Sequence, residues 1–150
     1  MKIAITGGRH FSDKVALFHA LDQIHQRKPI EALFHGGASG ADTLAHEWAV
    51  SKGVQPFVCP ANWDFYSKGA GPIRNCCMLE SGNPDLLVAV PGGTGTRNCV
   101  MQADALGIKV LKLELADAEF VAACDESVAE MLETGAEPTD TETLFKELDL

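Results

Sequence analysis

Two hydrophobic periods alternate along the first 113 residues. Short aliphatic runs at residues 2–6, 31–35, 54–59, 85–90 and 109–113 have the length and composition of strands. Helical spacing fills the intervals between them. In the 40–52 stretch, Ala41, Leu44, Ala45, Trp48 and Ala49 fall at i, i+3, i+4, i+7 and i+8, which gathers them on one side of a helix. Ser39 and Asp42 have the S-x-x-D spacing of a capping box at its start, and Gly53 suits its end. Further helices are predicted over 13–27 with Ser12 as cap, over 72–81 with proline in the first turn, and over 96–106, stopped by Gly107. Strands that alternate with helices in this way form a parallel sheet covered on both faces. The expected class is therefore α/β, a Rossmann-like open parallel sheet of about five strands with helices on both faces.

Beyond residue 113 the pattern and the charge both change. Residues 1–112 carry 11 Lys and Arg against 9 Asp and Glu, whereas residues 113–150 carry 1 against 12. The net charge of −9 thus belongs to the end of the chain, and a locally positive anion site in the body is compatible with it. We read residues 1–113 as one nucleotide-binding domain and 114–150 as an acidic helical C-terminal extension. The extension has a helix expected over 117–133, a break at 135–140 and a short segment at 141–148. Phe120, Val121, Cys124, Val128, Met131 and Leu132 make that helix amphipathic, so a protein partner at the acidic segment or a homo-oligomer is expected. Broad nucleic-acid binding needs a sustained basic face, which the charge balance disfavours.

The longest apolar run, residues 86–90, is far short of the roughly 20 residues of a membrane span, and no signal-peptide core precedes the first glycines. A cytoplasmic protein with no membrane partner is the expectation. Five cysteines without a C-x-x-C pair suggest free thiols in a reducing compartment, with neither a disulfide framework nor a zinc knuckle. No His, Asp and Cys grouping has metal-ligand spacing, so no metal is expected, and no cofactor beyond the ligand itself.

Three strands run into glycine: Gly7 and Gly8 followed by Arg9; Gly36 and Gly37, with Ser39 and Gly40 close behind; and Gly92, Gly93, Thr94, Gly95 and Thr96 after Pro91. All three endings fall at the carboxyl edge of the sheet, where helix N-termini present unpaired N–H groups to anions. Glycine lets the backbone approach phosphate oxygens, and hydroxyls of Thr6, Ser39, Thr94 and Thr96 can add donors. Neither G-x-G-x-x-G nor G-x-x-x-x-G-K-[ST] is present, so a nicotinamide dehydrogenase or a Walker ATPase is not supported.

The strand–P-G-G-T-G-T–helix passage, with G-P-I-R-N before it and T-G-G-R and H-G-G-A-S-G-A-D earlier, resembles the SLOG superfamily, specifically its YspA-like, cpYpsA-related branch. The resemblance covers about residues 1–113 and implies a Rossmann-like domain that binds nucleotides or nucleotide-derived molecules. The superfamily also includes the Lonely Guy phosphoribohydrolases and the DNA-processing DprA proteins. It implies phosphate on Gly92, Gly93, Thr94, Gly95 and Thr96, with Arg74 at the position of an upstream arginine. Where the Lonely Guy enzymes have a catalytic glutamate this chain has Cys99, and a thiol serves poorly where N-glycosidic cleavage needs a carboxylate. Helix-terminal placement could make Cys99 a nucleophile, but a packing role is the better reading.

Other polar residues complete the expectation. Arg9 and Arg74 can bring guanidinium groups to phosphate, and Asp42 can cap its helix or bind ribose hydroxyls. The 60–71 stretch reads as a lid loop in which Lys68 closes on an anion and Trp63 or Tyr66 touches the ligand. The leading function is binding or sensing of a nucleotide-derived, phosphate-bearing small molecule. The alternatives are a nucleotide or nucleoside-phosphate hydrolase in which Asp42, Asp64 or a histidine such as His10 or His35 replaces the glutamate, and a DNA-associated DprA-like module.

Overall fold

The structure is a computed structural model and describes residues 1–113. The acidic helical extension expected over 114–150, its apolar positions and Cys124 lie outside the described residues. Five parallel strands form one sheet in the order β3-β2-β1-β4-β5, with β1 (Lys2–Thr6) at its centre. Around it lie β2 (Ala32–His35), β3 (Gln55–Val58), β4 (Leu86–Ala89) and β5 (Lys109–Lys112). The helices are α1 (Lys14–Arg27), α2 (Ala41–Lys52), α3 (Trp63–Tyr66), α4 (Ala70–Gly82) and α5 (Thr94–Ala105). The expected class and strand count are borne out.

Strand pleating divides the core into two layers. Ile3, Ile5, Leu33, Leu86 and Val88 pack with Leu17, Leu21 and Ile24 of α1 and with Ala41, Ala45, Trp48 and Ala49 of α2. Ala4, Leu87 and Ala89 face the other way, onto Met78 and Leu79 of α4 and Cys99, Val100 and Ala103 of α5. The predicted face of α2 is thus the buried one. Trp48 is fully buried and still satisfies its indole N–H, which donates to Asp22 Oδ1 at 2.9 Å.

Three local expectations are corrected. Asp13, not Ser12, caps α1, its Oδ1 accepting from Ala16 N at 2.9 Å. The α2 capping box does not form, because Gly40 is the N-cap and Asp42 turns to a different partner. The 60–71 stretch is not plain loop: it contains α3, capped by Asn62, and a 3-10 turn at Ser67–Gly69, and α4 begins before Pro72, at Ala70.

Candidate functional site

Strands β1 and β4 are neighbours, yet the chain leaves them toward opposite faces of the sheet, to α1 and to α5. A crevice opens at such a reversal of strand order. The glycines hold its two lips together. Gly8 N–H donates to Pro91 O at 3.0 Å, and Gly8 O accepts from Ala41 N at 3.2 Å. A Cβ on Gly92 would collide with Thr96 Oγ1 and come within 2.7 Å of Gly8 N, so the two turns can lie this close only if residue 92 has no side chain. Gly7 lies against Val90 and Ala41 and serves packing beneath the crevice. Thr6 is also buried there, beside the Cys99 thiol.

A cavity of about 1100 Å³ opens above these turns, walled by Gly8, Arg9, His10, Lys68, Arg74, Asn75 and the 92–96 turn, with Trp63 at its side. The first turn of α5 points into it. Gly93 is the N-cap and no side chain caps the helix, so the N–H groups of its first turn have no acceptor within the helix. They present the positive end of a twelve-residue helix to the cavity.

Arg74 stands opposite. It is the fifth residue of α4, its Nη1 donating to Gly36 O at 2.7 Å and its Nε to Asn75 Oδ1 at 3.0 Å. Asn75 is buried, and its Nδ2 donates to Asn98 Oδ1 at 3.1 Å and to Gly95 O at 3.3 Å. Asn98 Oδ1 also accepts from Gln102 Nε2 at 2.8 Å. A side-chain amide chain therefore fixes the guanidinium relative to the first turn of α5. Sequence reasoning missed Asn75 and Asn98 as site residues, although Asn75 ends the G-P-I-R-N motif and Asn98 stands two residues beyond P-G-G-T-G-T.

The 36–38 turn has a different character. Asp42 is buried beneath it, and its Oδ2 accepts from Gly36 N and Ala38 N, both at 3.1 Å. Burial pushes this carboxyl above its ordinary pKa, against the opposing pull of the two N–H groups and of Arg74. Gly37 N–H donates to His35 Nδ1 at 3.0 Å. His35 Nε2 then carries the ring proton and donates to His46 Nδ1 at 2.9 Å. Burial, then His46 and Arg74, lower His35 to about 4, so it is neutral near pH 7. All three amides of this turn are thus engaged, whereas those of the 94–96 turn are not. Asp42 shapes the turn from beneath and is not among the residues that wall this cavity.

Gly40 adopts φ +76, and a side chain there would strike the backbone of Gly8 and Arg9. Ser39 Oγ donates to Arg9 O at 3.2 Å. Arg9 lies 5.6 Å from the centroid of the Trp63 ring, a cation–π distance. A second cavity, about 570 Å³, lies between the 36–39 turn and Pro60 and Ala61. Of the expected lid, Trp63 and Lys68 stand on the larger cavity, while Tyr66 packs edge-on against Phe65 at 4.7 Å and lines neither. Asp64 lines neither as well. Cys99 is fully buried and burial pushes its thiol up to about 11, so it packs and is no nucleophile. Among the described residues no three His, Cys, Asp or Glu side chains gather as a metal site, and no helix is long and apolar enough to cross a membrane.

The family described as "YspA, cpYpsA-related SLOG family" matches residues 1–66. The Gene 61 protein of Mycobacterium phage D29 is 36% identical over 118 residues, a match covering 73% of this chain and 94% of that protein. The chain belongs to this SLOG family. Solved structures share the SLOG domain's fold at low identity. DNA processing protein A (DprA) from Streptococcus pneumoniae aligns with TM-score 0.61 and 17% identity over 86% of this chain and 56% of its own, so the present chain spans little more than half of it. DprA from Helicobacter pylori, a structure described for its single-stranded DNA binding mode, gives 0.61 and 18% over 98% and 81%. The Moco Carrier Protein of Chlamydomonas reinhardtii gives 0.54 and 19% over 98% and 96%. At such identities these three speak for the fold.

Proposed function

We propose that this SLOG domain binds a phosphate-bearing, nucleotide-derived small molecule, with phosphate on the first turn of α5 and Arg74, Arg9 and Lys68 supplying positive charge. The observation that carries this reading is the pairing of an uncapped helix N-terminus with a guanidinium held in place by hydrogen bonds across the same cavity. Both partners are already positioned, so little ordering is required on binding. Binding rather than N-glycosidic cleavage is favoured by Cys99, which puts a buried thiol where a carboxylate would be needed. The test is mass spectrometry of small molecules released from gently purified protein, followed by thermal shift with a nucleotide panel on wild type and Arg74→Ala. Stabilisation of the wild type alone supports the reading. The absence of any shift across the panel refutes it.

A second reading is single-stranded nucleic acid, favoured by the exposed aromatic residues Trp63, Phe65 and Tyr66 close to Arg9 and Lys68 and by the fold shared with DprA. Salt-sensitive retardation of a labelled oligonucleotide, competed by no mononucleotide, is its signature.

A further inference from the structure

Three side-chain amides stand in file between α5 and Arg74, and the backbone decides which way each one faces. Pro72 O can only accept, so Gln102 turns its nitrogen to it, at 3.0 Å. The same Nε2 donates to Asn98 Oδ1 at 2.8 Å. At the other end, Gly95 O can only accept and Arg74 Nε can only donate. Asn75 therefore gives its Nδ2 to the first, at 3.3 Å, and its Oδ1 to the second, at 3.0 Å. Asn75 Nδ2 also donates to Asn98 Oδ1, at 3.1 Å. Asn98 thus meets a donor on each side. Turning its amide over would set N–H against N–H at both contacts, so its oxygen is committed to the file and its nitrogen is left over.

Among the described residues nothing accepts from that Nδ2. Among them, too, no buried side-chain nitrogen or oxygen lacks a partner, and Asn98 is half-buried, so this nitrogen is open to solvent. The space that Asn98 lines is the cavity over the first turn of α5. Side chains lean toward the N-terminus of their helix, which brings the amide of Asn98, fifth residue of α5, back beside Thr94 and Gly95, whose N–H groups have no acceptor within the helix. Two neutral N–H donors stand next to the backbone donors, on a side chain whose oxygen is already held twice. Such a group loses little freedom on meeting an acceptor.

Resting on the phosphate-binding reading above, we propose that Asn98 is a ligand-contacting, specificity-determining residue: its Nδ2 donates to a non-bridging oxygen of the phosphate held by the first turn of α5. Solvent exchange of side-chain NH2 protons, followed by NMR on the full chain with inorganic pyrophosphate as probe, tests this, and calorimetry gives the Kd. In the free protein the Asn75 amide protons, both bonded, are expected to exchange at least about tenfold more slowly than those of Asn98. Saturating pyrophosphate slows the Asn98 protons at least about fivefold. Asn98→Ala raises the pyrophosphate Kd at least about fivefold with thermal unfolding little changed. Gln102→Leu breaks the file beyond Asn98 at a residue outside the cavity lining, and leaves the Kd within about twofold. Equal exchange of the two amides in the free protein overturns the orientation assigned to Asn98. Asn98 exchange unmoved at saturation, or a Kd unmoved in Asn98→Ala, overturns the contact and leaves the phosphate site standing. An equal rise in Kd in both variants assigns the effect to the file and also overturns the contact. If Asn98→Ala does not fold, the wild-type exchange rates decide alone. Failure of pyrophosphate to bind wild type overturns this inference together with the phosphate reading beneath it.

Discussion

Replacing Asp42 by alanine and by asparagine separates hydrogen bonding from charge at the base of the 36–38 turn. One carboxylate oxygen accepts from both Gly36 N and Ala38 N at 3.1 Å. Asp42→Ala leaves two amides without partners, each costing about 1–3 kcal/mol. Gly36 is buried and Ala38 half-buried, so the sum lies at about 2–5 kcal/mol, a large part of a small domain's stability. Asp42→Asn keeps an acceptor oxygen in place and sheds the desolvated charge, so its cost is expected to stay below about 1 kcal/mol. The pH dependence has a definite sign. Burial raises the carboxyl pKa in the folded state, so the stability it contributes is fully present below the unfolded value of about 3.9 and is lost as pH rises through the folded value. Asparagine has no proton to lose, so Asp42→Asn gains on wild type as pH climbs toward 7. Guanidinium denaturation followed by far-UV circular dichroism at pH 4.5 and 7 measures both effects. Alanine and asparagine variants of equal stability would refute the hydrogen-bonding argument.

His35 titrates in the opposite sense: held near 4 when folded, it binds fewer protons than the unfolded chain, so its contribution falls as pH drops from about 6.5 toward 4. His35→Asn should flatten that limb of the stability profile measured by denaturant titration. A Cβ at Gly36 would collide with the Arg74 guanidinium and force it off its hydrogen bond to Gly36 O, a displacement that the long side chain can absorb. Gly36→Ala is therefore expected to cost stability no more than the one charged hydrogen bond, about 1.5–3 kcal/mol, while weakening nucleotide binding at least tenfold by calorimetry. Thiol labelling followed by mass spectrometry should modify exposed Cys77 quickly in the native protein and buried Cys99 only on unfolding. Native-rate labelling of Cys99 would contradict its packing role.

The strands and the faces of the helices were legible because burial imposes periods of two and 3.6 on the sequence, and Trp48 and Ala45 obey them. Polar residues follow no such period. Ser39 and Asp42 had the spacing of a cap, but Asp42 found two amides on the preceding turn, a local alternative that short carboxylates take readily. The cap of α1 falls on Asp13, one residue past the expected Ser12, because Asp13 Oδ1 reaches Ala16 N. The Asn75–Asn98 link joins residues 23 apart, and His35 meets His46 across a turn. Such pairings depend on how strand order brings loops together, which pattern alone does not encode. The glycine turns were visible as three similar motifs. That one has its amides free and another has them engaged emerged only from the side chains beneath.

The unfinished first turn of α5 has a consequence for how occupancy is communicated. The helix is anchored to the sheet through Cys99, Val100 and Ala103, and to α4 through Asn98 and Asn75. A bound anion acts as the missing cap, so it stiffens the beginning of a helix that two other elements already grip. On the phosphate-binding reading, amide exchange on the outward side of α5, where Met101 is exposed, is therefore expected to slow when ligand is added, which hydrogen exchange with and without ligand checks. Filling the crevice would thus be detectable on a face of the domain that does not line it.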